Sequence, residues 1–251
     1  MILLPKSFDS AKTLAARYGA PRFEAATKTK TARLYIYDAI GADLWGNGVT
    51  PAQVVEALAS AKKEGATDLE VYVNSPGGYV FDGFAIYNEI RRWDGPKTVY
   101  VDGVAASIAS VIALAGDKVI TSSVGAWMVH RPWGGVVGNA EDMRKTADDL
   151  DKIGGVLLDT YARETGSSRA AVEEWVTAET WMNAEEALAR GFTDEVSNGD
   201  AQPKKAAASI KTTPERLMVA LMRADTIRAA CRPERQGLAP ATNGSTMQNT
   251  Q

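Results

Sequence analysis

Cysteine and histidine are almost missing. The 251-residue chain has one of each, Cys231 and His130. A single thiol closes no internal disulfide, and one thiol with one imidazole builds no structural zinc site. Such sparing cysteine use fits a reducing compartment. A basic surplus is missing too: 28 Lys and Arg stand against 31 Asp and Glu, a net charge of −3. Without excess cations to neutralise phosphates, nucleic acid is not an expected partner. Long apolar runs are also absent. The opening Met1-Ile2-Leu3-Leu4-Pro5-Lys6 is too short for a secretory signal. The longest apolar stretch, 104–116, contains Ser107 and Ser110 and falls short of the roughly 20 residues that cross a bilayer. These absences predict a soluble cytoplasmic protein with no membrane segment, no metal and no cofactor.

The charge that is present is unevenly placed. Residues 1–30 carry six basic side chains against two acidic ones, a surplus of four. Residues 201–251 carry eight against three, a surplus of five, so 31–200 holds a deficit of twelve. The pattern predicts an acidic compact domain over 31–200, a basic N-terminal extension over 1–30, and a basic C-terminal segment over 201–251. Solvated tails would produce the same flanks. Residues 200–212 read as a linker, and Thr213-Pro214-Glu215 opens an amphipathic helix carrying Leu217, Met218, Leu221 and Met222. From Arg232 onward the Gly, Pro, Asn, Thr and Gln content predicts disorder.

Within 31–200, strand and helix signals alternate. Arg33-Leu34-Tyr35-Ile36-Tyr37 and Leu69-Glu70-Val71-Tyr72-Val73 have the β-branched and aromatic content of strands. Thr50-Pro51 supplies an N-cap and a first-turn proline for a helix presenting Val54, Val55, Leu58 and Ala61. A second helix is predicted over 80–92. Strand Thr98-Val99-Tyr100-Val101 is expected to end in a turn at Asp102-Gly103, followed by an apolar helix from near Ser107. Short strands at 118–121 and 126–129 precede a long helix capped by Asn139 and running to about Glu164. Repeated βα alternation predicts an α/β fold with mostly parallel strands.

Three segments carry chemistry. His130 ends the strand Trp127-Met128-Val129, where side chains of α/β folds face the crevice. Ser107, in Asp102-Gly103-Val104-Ala105-Ala106-Ser107-Ile108, sits where a strand passes into a helix and small neighbours leave its hydroxyl room. The helix amides there would face any anion that forms. A serine at that position is also the ordinary N-cap of a buried helix. Asn74-Ser75-Pro76-Gly77-Gly78 follows a strand, and its glycines permit a backbone that brings an N–H against a substrate carbonyl. A plain tight turn has the same composition.

Taken in order, Asn-Ser-Pro-Gly-Gly, Gly-x-Ala-Ala-Ser and Met-Val-His-Arg-Pro resemble the Clp proteolytic-subunit family over residues 31–197, most strongly over 73–138. The resemblance leans toward the phage and prophage head maturation branch. That lean is carried by Val80-Phe81-Asp82-Gly83-Phe84-Ala85-Ile86-Tyr87-Asn88, by the stretch from Trp133 to Met143, and by Glu179-Thr180-Trp181-Met182-Asn183-Ala184-Glu185-Glu186-Ala187. It implies the Clp protease/crotonase-like fold of repeated ββα units, a serine endopeptidase without cofactor, Ser107 as nucleophile and His130 as general base. It also implies oxyanion donors at the amides of Gly78 and Ile108. The helix after Asn139 would mediate ring-to-ring contact in a homo-oligomer acting on protein or peptide substrates. The family's third member falls on Glu179 where an Asp is usual. Asp194 is the alternative, though it reads as a turn acid, and a site with no third member is the remaining one. Three other readings stay open: a Ser/Lys peptidase of the signal-peptide-peptidase type using Lys118, a crotonase-type thioester enzyme, and an assembly or scaffolding protein using the basic flanks.

Overall fold

The computed structural model describes residues 23–26, 30–42 and 48–198. The linker, helix and tail predicted beyond residue 200 lie outside them. An eight-stranded sheet runs in the order β1-β2-β3-β4-β5-β8, with β6 joined to β4 and β7 joined to β6. Its strands are β1 (Phe23–Ala26), β2 (Thr31–Ile36), β3 (Asp68–Ser75), β4 (Lys97–Ala106), β5 (Lys118–Ser122), β6 (Ala126–Val129), β7 (Thr180–Asn183) and β8 (Glu195–Ser197). The expected parallel α/β sheet is present. The antiparallel pairs are β1 with β2 and β6 with β7.

Period-two patterning builds one face of the core. Ala32, Leu34 and Ile36 on β2, Val71 and Val73 on β3, and Val99 and Val101 on β4 are all fully buried. Helix α1 (Pro51–Lys63) packs Val54, Leu58 and Ala61 into that core, and α2 (Val80–Arg91) adds Ile86 and Ile90. Helix α1 starts where expected. Thr50 Oγ1 accepts from the Gln53 amide while Gln53 Oε1 accepts from the Thr50 amide, a reciprocal cap. Across the sheet, Tyr35, Tyr72 and Tyr100 stack in register with ring centroids 4.9 Å apart. Such a cross-strand aromatic ladder pins the register of three strands.

Two expectations fail here. Val55, expected with the apolar face of α1, is 46% exposed. Asp102-Gly103 is not a turn, because β4 runs unbroken from Lys97 to Ala106. The register instead shifts: Val73 pairs with Val101, but Ser75 pairs with Ala105. The extra β4 residues bulge, and Asn74 Oδ1 accepts the freed Val104 amide at 3.2 Å. A β-carbon on Gly103 would stand 2.5 Å from that same oxygen. Glycine there therefore serves close approach within a strand, not reversal.

The bulge divides β4 between two partners. Thr98–Val101 pairs with β5, while Val104–Ala106 pairs with β6, which continues into antiparallel β7. The ends of β4 and β6 and the start of β7 converge at this fork. Beyond β4 comes α3 (Ile108–Ala113), wholly buried. Helix α4 (Ala140–Thr165) buries residues only in its C-terminal half, among them Leu157, Leu158 and Tyr161. Helices α5 (Arg169–Thr177) and α6 (Ala184–Ala189) flank β7.

Candidate active site

Ser107 occupies the junction between β4 and α3 with φ 55° and ψ −131°, and its side chain makes no cap hydrogen bond to the helix. Ordinary N-capping is thus not its role. A non-glycine residue at positive φ costs energy that the surrounding structure must hold. Here its amide donates to Met128 O (2.8 Å), and its carbonyl accepts from Ser110 Oγ (2.6 Å) and from the Ser110 amide (3.0 Å). The pinned backbone turns the hydroxyl toward β6, where Ser107 Oγ lies 2.7 Å from His130 Nε2.

His130 leaves β6 immediately after Val129, and its side chain is only 15% exposed. On its other side, Glu179 Oε2 lies 3.9 Å from His130 Nδ1. That is ion-pair range, longer than a direct hydrogen bond between those two atoms. Glu179 has φ 52° and follows the C-terminal cap of α5, a position where glycine is usual. The fork therefore gathers Ser107, His130 and Glu179 from sequence separations of 23 and 49 residues. Asp194 is engaged elsewhere: its Oδ2 accepts the Val119 amide at 2.7 Å, at the start of β5. Lys118 pairs with Glu195 Oε2 at 2.6 Å between β5 and β8.

The glycine loop lies against the serine. A β-carbon on Gly77 (φ 91°) would meet Ala106 O at 2.7 Å and Ile108 N at 3.2 Å. Gly78 (φ 156°) would set its β-carbon 2.1 Å from Ile40 O. No other residue fits either place. Ile40 donates to Gly77 O (2.8 Å) and accepts from the Tyr79 amide (3.0 Å). Amides alternate in direction along an extended segment, so the intervening Gly78 N–H points away from Ile40. Helix α3 is only six residues long. Single amides, rather than a long helix's dipole, are what it offers an anion at Ser107.

Two supporting residues escaped the sequence reading. Tyr161 of α4 is 1% exposed and its hydroxyl lies 2.7 Å from Ser110 Oγ and 3.4 Å from Ser107 O. Burial pushes the phenol up, so it remains a neutral donor. Tyr161, Trp127 and Trp175 surround Phe192 with centroids 5.6–6.1 Å from it, fixing the phenol's height. Ser110, three residues past Ser107 on one helical face, was the available signal. Among the described residues, no cluster of three or more His, Cys, Asp or Glu could hold a metal, and no helix is long and apolar enough to cross a membrane.

The profile of the Clp protease family matches residues 47–200, which include the serine, the histidine, the glycine loop and Glu179. The chain belongs to the Clp protease family. Over 130 residues it is 36% identical to the ATP-dependent Clp protease proteolytic subunit 1 of Protochlamydia amoebophila, covering 50% of this chain and 63% of that protein. Over 131 residues it is 36% identical to the ATP-dependent Clp protease proteolytic subunit of Bacteroides fragilis, covering 51% and 63%. The chain thus spans a little under two thirds of these curated relatives. Among solved structures, a ClpP1 point mutant from Listeria monocytogenes superposes with a TM-score of 0.59 over 68% of this chain and 92% of that one. At 22% identity this likeness shows the fold.

Proposed function

We propose that this Clp family member is a serine endopeptidase with Ser107 as nucleophile, His130 as general base and Glu179 as the acid behind it. The observation carrying the reading is the 2.7 Å approach of Ser107 Oγ to His130 Nε2. With its proton on Nδ1, the imidazole has Nε2 free to accept the hydroxyl proton. Oγ then attacks a peptide carbonyl, and the amides of Gly78 and Ile108 receive the tetrahedral oxyanion. His130 hands the proton to the leaving amine. Water, deprotonated by the same nitrogen, releases the acyl group and restores Ser107. Glu179 keeps the proton on Nδ1 and stabilises the imidazolium that forms.

The wider setting belongs to the same proposal. The phage-like segments at 80–88, 133–143 and 179–187 favour processing of a head protein, or of the chain's own basic tail, in the cytoplasm of a bacterial host. A homo-oligomeric ring joined through α4 accounts for that helix's exposed N-terminal half. An unfoldase partner is optional for an enzyme that trims exposed tails. The test is hydrolysis of an unstructured fluorogenic peptide, with mass spectrometry of the chain over time. The wild-type protein is expected to cleave the peptide and to lose residues beyond about 200. Ser107→Ala is expected to do neither, and equal cleavage by both proteins would end the proposal.

A further inference from the structure

Arg131 directly follows the histidine and reaches the helix that leads into Glu179. Its Nη2 donates to Thr177 Oγ1 at 3.0 Å and to Glu173 Oε1 at 3.3 Å, two α5 residues one turn apart. The ladder between β6 and β7 ends at Val129 opposite Thr180. Continued one step, that register sets His130 against Glu179, but the backbone no longer follows it. Ala178 caps α5, and Glu179 turns at positive φ. Where the carboxylate stands relative to the imidazole is therefore set by where the end of α5 stands. From its own side, α5 is tied to β7 by Thr180 Oγ1, which donates to Trp175 O at 2.7 Å. From the β6 side, it is held by Arg131.

We infer that Arg131 is a positioning residue: by gripping Thr177 and Glu173 it sets the distance between Glu179 and His130. The inference deepens the Ser107–His130–Glu179 reading and rests on it. Arg131 and Glu173 side chains are each 47% exposed, and ion pairs so wet add little to global stability. At 3.9 Å, by contrast, the carboxylate acts on an imidazolium through space, and that hold weakens as the separation grows. Glu173 is itself steadied by Arg169, which pairs with it at 3.7 Å and with Asp159 at 2.8 Å. Glu179 thus faces the histidine, while Arg131 joins a chain of charges through Glu173 and Arg169 to Asp159.

Because the chain has one histidine, an NMR titration of the full-length protein reports that imidazole without assignment. Thr177 is exposed, so Thr177→Val removes an anchor without altering charge. It is expected to lower the midpoint by about half a pH unit, since a displaced carboxylate stabilises the imidazolium less. Thr177→Ser is expected to restore it, and Thr177→Val in a Glu179→Gln background to shift nothing. Arg131→Ala separates the two possible roles by sign. Loss of a nearby cation alone raises the midpoint, whereas loss of positioning lowers it. An unchanged midpoint in Thr177→Val, or a rise in Arg131→Ala with Glu179 in place, would overturn the inference. The readout does not depend on activity. A midpoint shift in a protein that cleaves nothing would sink the peptidase reading and leave the positioning role standing.

Discussion

Gly77 and Ser107 are so close that a β-carbon on the glycine would stand 2.7 Å from the serine Cβ. The strained serine backbone and the glycine loop are one packed unit, and neither is free to relax alone. Gly77→Ala meets both a backbone clash and a positive φ, and is expected to cost about 2–3 kcal/mol of stability. Peptide hydrolysis should fall further than the lost folded fraction accounts for. Denaturant melts run beside initial rates check this.

Tyr161→Phe deletes one hydroxyl from the packed cluster around Phe192. The expected loss of stability is about 1 kcal/mol, the net worth of a typical hydrogen bond. The rate should fall too, because Ser110, which donates to the carbonyl of Ser107, loses its own donor. If kcat stays at the wild-type value while the melting temperature drops, Tyr161 supports the fold and not the serine.

Glu179 sets stability against chemistry. Its positive φ is one that glycine adopts without strain, so Glu179→Gly is expected to stabilise by about 1 kcal/mol. The same change removes the carboxylate behind His130 and should slow hydrolysis about a hundredfold. Glu179→Asp draws the carboxylate back by one methylene and is expected to slow hydrolysis as Glu179→Gln does. A variant that gains rate as Asp would mean the carboxylate approaches the histidine by another path.

Much of this was legible in the residues. The Thr50 cap, the alternation of Leu34 and Ile36, and the isolated His130 at a strand end each pointed to their place through local rules. What escaped depended on contacts between distant segments. Asp102-Gly103 has the composition of a turn, and only Asn74 accepting the Val104 amide keeps it in a strand. Tyr161 reads as one more apolar position on a long helix until the fold sets its hydroxyl against Ser110. Arg131 looks like a solvated charge beside a proline, and α5, which receives it, carries no strong sequence signal. The family resemblance could name Glu179 as the third position but not the 3.9 Å that separates it from His130.

The pairing of Ser107 with His130 is tested most directly by intact-mass and peptide mapping after a fluorophosphonate probe. A single adduct on Ser107 is expected, absent from Ser107→Ala and formed about a thousandfold more slowly by His130→Ala. An adduct on any other residue, or labelling of His130→Ala at the wild-type rate, would contradict the account.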